Sequence, residues 1–281
     1  MEKVIEFYKN IPFNYTDDIS FYCNNIRNTN QILEYADLDH LLKSRYKINL
    51  RKKIKNVIEF GCGTGWLTNT LSYLYKKNVK SVDFTEKAIE TAKLVSSKLK
   101  VSPDYVRSDI FEYEDQKKYD LVISLGVLHH TKNCKDAMQK ISSFVRDGGF
   151  LYVGLYHLYA RKPMLNFLQS YARWHGDESA YKLFSHMSKE LDNPDHQYSW
   201  FRDQVLHPHE TQHTLSEIMN WMEPLGFTLK STSINKYKSL SKFNFAELDK
   251  IEKDMEKRGY EKNVINLEFS PGYFTACFKK S

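Results

Sequence analysis

The chain has 281 residues, of which 41% are hydrophobic, and its 41 lysines and arginines exceed its 35 aspartates and glutamates to give a formal net charge of +6. This composition is typical of a globular protein with one or two domains and a hydrophobic core, so it excludes a disordered chain. No apolar run approaches the roughly 18 residues of a membrane-spanning helix, and the first residues lack the layout of a secretion signal. Because the four cysteines are scattered and form no C-x-x-C pair, we expect a cytoplasmic protein with reduced thiols.

The modest positive charge does not make nucleic acid the expected partner, because lysines are interleaved with acidic residues along most of the chain. One denser basic run consists of Arg45, Lys47, Arg51, Lys52, Lys53 and Lys55. This run is either an ordinary solvated surface or a patch that attracts a phosphate-bearing substrate.

From about residue 55, short β-branched runs alternate with longer segments of helical periodicity, which is typical of βα units on a parallel sheet. The predicted strands are 55–60, 79–83, 105–109, 119–125 and 150–155. The predicted helices are 66–75, a helix capped by Thr85 that runs to about 99, and 135–145. We expect the last of these to end at the glycines of Asp147-Gly148-Gly149, which can adopt a left-handed cap.

The βα alternation stops after residue 157 and resumes at residue 214. The intervening segment is rich in aromatic residues and holds seven of the ten histidines, counted from His157 to His213. A capping box at Thr214–Glu217 then predicts a short helix to about 225. The remaining predicted elements are a strand at 227–233, a charged helix at about 245–258, and strands at 263–268 and 273–278 that form an antiparallel edge.

The most informative segment is Glu59-Phe60-Gly61-Cys62-Gly63-Thr64-Gly65, which lies between a predicted strand and a predicted helix. Missing side chains let a ligand approach the backbone there, and the helix N-terminus offers unpaired N–H groups. The dinucleotide fingerprint G-x-G-x-x-G requires glycine at position 66, where this chain has Trp66, so a nicotinamide site is disfavoured. A phosphate-binding P-loop is excluded because no Gly-Lys-Ser/Thr follows.

With this motif the chain resembles the class I S-adenosylmethionine-dependent methyltransferases, over roughly residues 55–155 and more weakly over 214–233. In that family Asp83 matches the acid that accepts from both ribose hydroxyls, and Asp109 matches the acid beside the adenine amino group. Residues 120–130 resemble the fourth-strand motif that lines the methionine end of the cofactor. The cofactor-binding residues that the resemblance implies are Glu59, Gly61, Cys62, Gly63, Gly65, Asp83, Phe84, Asp109, Ile110 and Leu125.

The resemblance implies an α/β fold with a Rossmann-like, seven-stranded, mostly parallel sheet ordered 3-2-1-4-5-7-6. Helices are expected on both faces, with a helical cap inserted after strand five. We expect an N-terminal helical and aromatic lid segment at 1–50, a cofactor-binding core at 51–157 and 214–281, and a substrate cap at 158–213. The lid candidates are Tyr8, Phe13 and Tyr15, which otherwise simply dock on the core.

Methyl transfer from a sulfonium is an in-line displacement, so a general base is useful only when the acceptor atom is protonated. His129 and His130 follow the predicted fourth strand and His157 follows the fifth, so these three are the candidate catalytic residues. The alternative for the pair His129 and His130 is that they only shape the pocket wall. The candidate substrate-binding residues are Tyr15, Tyr156, Tyr198, Trp200, His209 and His213.

The segment from His209 to His213 also has the H-E-x-x-H spacing of zinc proteases, which works only on one face of a helix. Pro208 before it and the capping box after it contradict that helix, so we expect no metal. A loop site made by His207, His209 and His213 is the alternative to ordinary hydrogen-bonding roles for these side chains.

The predicted function is transfer of a methyl group from S-adenosylmethionine to an oxygen or nitrogen atom of a small-molecule acceptor, with S-adenosylhomocysteine as product. An RNA or protein methyltransferase is one alternative, which the basic run at 45–55 favours. A cofactor-binding partner or regulatory protein without turnover is another, because the acids at 83 and 109 bind cofactor and transfer nothing. The sequence does not predict an oligomeric state.

Overall fold

A computed structural model describes residues 2–28, 54–189 and 193–281. The basic run lies outside the described residues except for Lys55, and so does the second half of the predicted N-terminal segment. Across the three described ranges, every helix is too short or too polar to cross a membrane.

A seven-stranded sheet organises the described chain, in the order β3-β2-β1-β4-β5-β7-β6. The strands are β1 (Asn56–Phe60), β2 (Asn78–Asp83), β3 (Asp104–Arg107), β4 (Tyr119–Leu125), β5 (Val145–Tyr156), β6 (Phe227–Thr232) and β7 (Tyr273–Lys280). The first five pair in parallel, whereas β7 runs antiparallel to both β5 and β6. The predicted α/β fold and strand order are therefore confirmed.

Helices cover both faces of this sheet. They are α1 (Glu2–Tyr8), α2 (Ile19–Asn28), α3 (Trp66–Tyr75), α4 (Glu86–Leu99), α5 (Cys134–Ser142), α6 (Leu158–His175), α7 (Asp177–Met187), α8 (Pro194–Val205), α9 (Leu215–Met222) and α10 (Leu248–Tyr260). Successive strand residues point to opposite faces. In β1, Val57 accordingly packs in one apolar cluster with Leu67 of α3, and Ile58 packs in the other with Met138 of α5.

The start of β5 differs from the prediction. The helix predicted for 135–145 ends at Ser142, and β5 begins at Val145 instead of residue 150. Tyr119 pairs with Val145, and the register then shifts before Leu121 pairs with Phe150. Gly148, with φ +71°, therefore lies in an irregularity of the strand and does not cap the helix.

The strand predicted for 263–268 is wrong, because a turn of π-helix at Glu261–Ile265 continues α10. Buried Asn263 holds this region: its side-chain amide donates to the carbonyls of Gly259 and Ser270, each at 2.9 Å, and its Oδ1 accepts from the Ser270 N–H. These bonds satisfy backbone groups that a strand would have paired with a neighbour.

Between β5 and α9 the described residues form three helices, α6, α7 and α8, which share an apolar cluster. Met164 and Leu168 of α6 pack in it with Phe184 of α7 and Phe201 of α8. The aromatic residues of this segment therefore build a local core next to the carboxyl end of β5.

Candidate functional site

The glycine turn lies at the carboxyl end of β1, where the strand order reverses between β2 and β4. Gly61 has φ +74° and Gly65 has φ +79°, in the left-handed region that favours glycine. A Cβ on Gly61 would lie 2.3 Å from Cγ2 of Val127, and one on Gly65 would lie 2.7 Å from Cβ of Ala92. Packing therefore requires glycine at both positions, independently of any ligand.

Asp83 ends β2 beside this turn. Its Oδ2 accepts from the N–H of Gly63 and its Oδ1 accepts from the N–H of Thr85, each at 2.8 Å. The side chain is buried, and this desolvation raises its pKa above the ordinary value. Each carboxylate oxygen has a second acceptor position, so Asp83 can still bind donors of a ligand. Gly63 is open on this side, because the nearest atom to a Cβ there would be the Phe13 carbonyl oxygen at 3.8 Å.

Glu59 lies in the interior beneath the turn. The Thr68 hydroxyl donates to its Oε2 and is also hydrogen-bonded to the Ser81 hydroxyl. Burial raises the pKa of Glu59 to about 7, and the Asp83 carboxylate acts in the same direction. Burial likewise raises the pKa of the neighbouring Cys62 thiol well above its usual range.

Four further predicted cofactor-binding residues lie at the carboxyl ends of β2, β3 and β4. Asp109 follows β3, where its Oδ1 accepts from the Phe111 N–H at 2.7 Å and shapes the turn. Ile110 and Phe84 are half-buried, as is Leu125 at the end of β4. The carboxyl ends of β1 to β4 thus bring the predicted cofactor residues to one edge of the sheet.

His129 and His130 follow β4 in a buried 3₁₀ turn, Leu128–His130. Nδ1 of His130 is 2.9 Å from the carbonyl oxygen of His209, and since a carbonyl only accepts, Nδ1 carries the proton. Nδ1 of His129 accepts from the N–H of Tyr156 at 3.4 Å. Within the described chain, Nε2 of both rings is buried without a hydrogen-bond partner.

A third histidine, His207, belongs to this group, although the sequence indicated it only as an alternative metal ligand. The ring centroids of His130 and His207 are 3.7 Å apart. Nδ1 of His207 accepts from the His209 N–H at 3.1 Å, and its Nε2 is another buried atom with no partner among the described residues. Burial lowers the pKa of His130 to about 4 and that of His207 to about 3, so both rings are neutral near pH 7.

Asp203 of α8 lies beside these histidines and was missed by the sequence analysis. Hydroxyl groups from two distant segments donate to its carboxylate: Tyr8 to Oδ1, and Tyr156 to Oδ2 at 3.3 Å. The Tyr8 ring is 5.4 Å from that of His207 and 6.4 Å from that of Phe84. Tyr8 therefore lies between the histidines and the edge of the sheet where Asp83 ends β2.

Arg161 is a fully buried cation that the sequence did not reveal either. It donates twice to Glu210, at 3.0 and 2.7 Å, and also to both oxygens of Gln204, each at 2.8 Å, and to the Pro271 carbonyl. Its guanidinium carbon lies 3.7 Å from the centre of the Tyr156 ring. All five donor positions of the side chain are thus engaged.

A family model described as a methyltransferase domain matches residues 58–153, the part of the chain that carries the glycine turn, Asp83 and the two histidines after β4. Residues 58–153 form a class I S-adenosylmethionine-dependent methyltransferase domain. This confirms the family that the sequence motifs predicted.

Two curated relatives are similar to part of this chain. Malonyl-[acyl-carrier protein] O-methyltransferase 2 of Ilyobacter polytropus is 29% identical over 122 residues, which cover 42% of this chain and 46% of the relative. Probable (S)-tetrahydroprotoberberine N-methyltransferase 2 of Papaver bracteatum is 24% identical over 163 residues, 56% of this chain and 38% of the relative. The chain therefore spans less than half the length of these relatives.

A solved structure is similar in fold over the full length of this chain. The plantazolicin methyltransferase BpumL, in complex with a pentazolic desmethylPZN analog and SAH, matches 100% of this chain and 96% of its own, with a TM-score of 0.54. At 15% identity, this likeness concerns the fold alone.

His157 lies apart from the other two predicted catalytic residues, His129 and His130. Its Nε2 is 3.0 Å from Oε1 of Glu252, and its Nδ1 accepts from the Ala160 N–H at 3.4 Å, which caps α6. With both nitrogens engaged and the ring fully buried, His157 holds α6 and α10 together.

The histidines of the H-E-x-x-H segment are also engaged in hydrogen bonds. Nε2 of His209 is 3.0 Å from the carbonyl oxygen of Thr131, and His213 bonds Glu217 through Nδ1 and Thr211 through Nε2. In the parts of the chain that the structure describes, no group of three or more metal-ligating side chains is placed to hold a metal ion.

The aromatic substrate candidates occupy different environments. Trp200 is buried and donates to Oδ1 of Asn14, which links α8 to the N-terminal segment. Tyr198 is exposed at the outer side of α8. Tyr15 donates to Asp17, and its ring lies 5.4 Å from Nζ of Lys87. Of the predicted substrate residues, Tyr156 lies in contact with the buried histidines.

Proposed function

We propose that this protein transfers a methyl group from S-adenosylmethionine to an oxygen or nitrogen atom of a small-molecule acceptor, releasing S-adenosylhomocysteine. The observation that carries the proposal is the Asp83 carboxylate, held by the N–H groups of Gly63 and Thr85 beside a turn whose glycines have left-handed φ values. When bound, S-adenosylmethionine supplies a methyl group on a positively charged sulfur.

The residues at this edge of the sheet fit that cofactor. Asp83 keeps an acceptor position on each oxygen, which suits the two neighbouring hydroxyls of a ribose. The open side of Gly63 lets a ligand approach the backbone. Asp109 is the second acid at the same edge and would accept from an adenine amino group. Each charge-assisted hydrogen bond of this kind contributes about 1.5 to 3 kcal/mol.

The acceptor is proposed to bind next to the cofactor, among His129, His130, His207 and Tyr156. Neutral imidazoles in a buried site can take a proton from an acceptor hydroxyl or amine, and Nε2 of His130 is the basic nitrogen there because its Nδ1 donates to a carbonyl. The relatives named above support a small-molecule acceptor.

Two further segments are proposed to enclose the reaction. Helices α6 to α8 would form the acceptor cap, and residues 2–28 would close over the cofactor. Contacts of the N-terminal segment support this: Asn14 accepts from Trp66 of α3 through its carbonyl and from Trp200 of α8 through its side chain. Excluding water protects the reacting methyl group. We also propose a cytoplasmic location, supported by four buried free thiols.

The test combines cofactor binding with product detection. Asp83→Ala should weaken binding of S-adenosylhomocysteine by roughly 10- to 100-fold in calorimetry, the equivalent of about 1.5 to 3 kcal/mol. Asp104→Ala is the matched control, because Asp104 lies in β3 with its side chain 63% exposed. Wild-type protein incubated with methyl-labelled S-adenosylmethionine and a cell extract should label a small molecule.

If Asp83→Ala and Asp104→Ala bound S-adenosylhomocysteine with equal affinity, the proposed role of Asp83 in holding the cofactor would be contradicted. Label found only in RNA or protein would overturn the small-molecule acceptor. Tight cofactor binding with no labelled product in any fraction would favour a regulatory protein over an enzyme.

A further inference from the structure

Three buried nitrogens without partners belong to neighbouring rings where the acceptor is expected: the ring centroids of His130 lie 4.3 Å from His129 and 3.7 Å from His207. In the described residues, six buried side-chain nitrogen or oxygen atoms lack a hydrogen-bond partner, and three of them are Nε2 of His129, His130 and His207. These side chains are 0%, 5% and 9% exposed. Because buried polar groups are nearly always paired, three unpaired nitrogens in adjacent rings indicate a site that a ligand completes.

The hydrogen bonds of the opposite nitrogens fix which Nε2 atoms donate. Nδ1 of His130 donates to a carbonyl, so in the neutral ring Nε2 has the lone pair and accepts. Nδ1 of His129 and Nδ1 of His207 each accept from a backbone N–H, so their Nε2 atoms carry the hydrogen and donate. The three rings, which we name the histidine triad, thus offer two donors and one acceptor.

This arrangement does not suit a metal ion. A histidine ligates a metal through an unprotonated nitrogen, and in His129 and His207 that nitrogen is already occupied by a backbone N–H. Of the three Nε2 atoms, only that of His130 keeps a lone pair.

The charges around the histidine triad favour an uncharged ligand. Desolvation lowers the pKa of all three histidines, so they are neutral near pH 7. The Arg161 guanidinium is paired with the Glu210 carboxylate, so it is not available to attract an anion. Two Nε2–H donors, in turn, disfavour an ammonium group.

The Nε2–H donors of His129 and His207 also favour an oxygen atom over a nitrogen atom as the acceptor of the methyl group. A hydroxyl that donates to Nε2 of His130 has two lone pairs, so one can accept from an imidazole N–H while the other attacks the methyl group. A neutral amine has one lone pair, and accepting a hydrogen bond would use the pair needed for attack. On the basis of the proposed function, we infer that the histidine triad binds an uncharged hydroxyl acceptor that has a second oxygen atom next to it.

The reaction that follows balances without a further reactant. The hydroxyl oxygen bonds the methyl carbon, and the electron pair of the broken carbon–sulfur bond stays on the sulfur. The hydroxyl proton passes to Nε2 of His130. The second oxygen of the acceptor accepts from the remaining Nε2–H and holds the group in one orientation.

The first measurement reads the tautomers in the folded wild-type protein saturated with S-adenosylhomocysteine. Long-range ¹⁵N NMR of the histidine rings at pH 7 should show the proton on Nδ1 of His130 and on Nε2 of His129 and His207. An unprotonated Nε2 in His129 or His207 would overturn the inference.

The second measurement compares a matched pair of uncharged probes, 1,2-dihydroxybenzene and 1,2-diaminobenzene. The diol should shift the Nε2 signals of the histidine triad and accept labelled methyl at least 10-fold faster than the diamine. Equal responses to both probes, or no response to the diol, would overturn the inference. If S-adenosylhomocysteine still binds in an Asp83-dependent way, that failure leaves the proposed function standing.

His207→Phe keeps a ring in the site and removes one donor. We expect methyl transfer to the diol to fall at least 10-fold, mainly through KM, while cofactor affinity stays within twofold. The matched control is His186→Phe, because His186 lies exposed on α7, away from the triad. Equal losses in both variants, or no loss in either, would contradict a role of His207 in holding the acceptor.

Discussion

The protonation of the buried Glu59 carboxyl makes the free energy of unfolding of the cofactor-free protein depend on pH. Burial raises its pKa to about 7 from the ordinary value of 4.5. Between these pH values the folded state binds more protons than the unfolded state, so the free energy of unfolding falls as the pH rises. The stabilisation that is complete below pH 4.5 is lost by pH 7 and above.

Glu59→Gln should remove this dependence. Relative to wild type, the variant should gain roughly 2 to 3 kcal/mol of unfolding free energy between pH 5 and pH 8, since one pKa unit equals about 1.36 kcal/mol. Urea unfolding of the cofactor-free proteins at both pH values measures the difference. Glu223→Gln, at an exposed glutamate, provides the control. If the difference in unfolding free energy between Glu59→Gln and wild type did not change with pH, the raised pKa of Glu59 would be contradicted.

At the scale of single elements, Gly61 and Gly126 show two different reasons why a turn needs glycine: a strained backbone conformation and a lack of space for a side chain. Both have a left-handed φ, +74° and +76°. A Cβ on Gly61 would collide with Val127, whereas a Cβ on Gly126 would meet nothing within 4 Å. Gly126→Ala should therefore cost about 1 to 2 kcal/mol from backbone conformation alone.

Gly61→Ala should cost about 2 to 5 kcal/mol, because overpacking adds to the same backbone term. Thermal and urea unfolding of the two variants measure both costs. If Gly61→Ala were no more destabilising than Gly126→Ala, the collision with Val127 would not be the reason for glycine at this turn.

Most helices and strands could be predicted from the sequence, because the residues within and beside each element of a βα unit indicate where it begins and ends. The largely apolar run at 119–125 forms a strand, and the turn at 61–65 lies between strand and helix as expected. The capping box at Thr214 also has the expected structure, because its hydroxyl accepts from the Glu217 N–H. The errors arose where distant pairing overrides a local signal. Gly148 suggested a helix end, yet pairing of Val145 with Tyr119 starts the strand earlier.

At the scale of the whole molecule, the proposed acceptor site joins segments that are far apart in sequence. His129 and His130 were predictable from a motif after a strand, but Asp203 is 195 residues from its partner Tyr8. His207 meets His130 only because the loop after α8 returns to the end of β4. No periodicity or spacing encodes such contacts, so the sequence could not predict that Asp203 and His207 lie at the proposed acceptor site.

Arg161 and Glu210 hold that returning loop, and their side chains are 0% and 8% exposed. Removing one partner leaves the other charge buried without its counter-ion, so Glu210→Leu should cost about 3 to 5 kcal/mol of unfolding free energy. Arg161→Met should cost a similar amount. The double variant should be more stable than either single variant, because it leaves no uncompensated charge.

A double-mutant cycle in urea measures this coupling. The exposed pair of Lys182 and Glu178, 2.8 Å apart, is the control, and its removal should cost less than about 1 kcal/mol. Since Glu210 adjoins His209, whose carbonyl fixes the His130 tautomer, Glu210→Leu should also slow methyl transfer while leaving cofactor affinity unchanged. Additive costs in the cycle would show that the two charges do not stabilise each other, and the loop would then depend on the other bonds of Arg161.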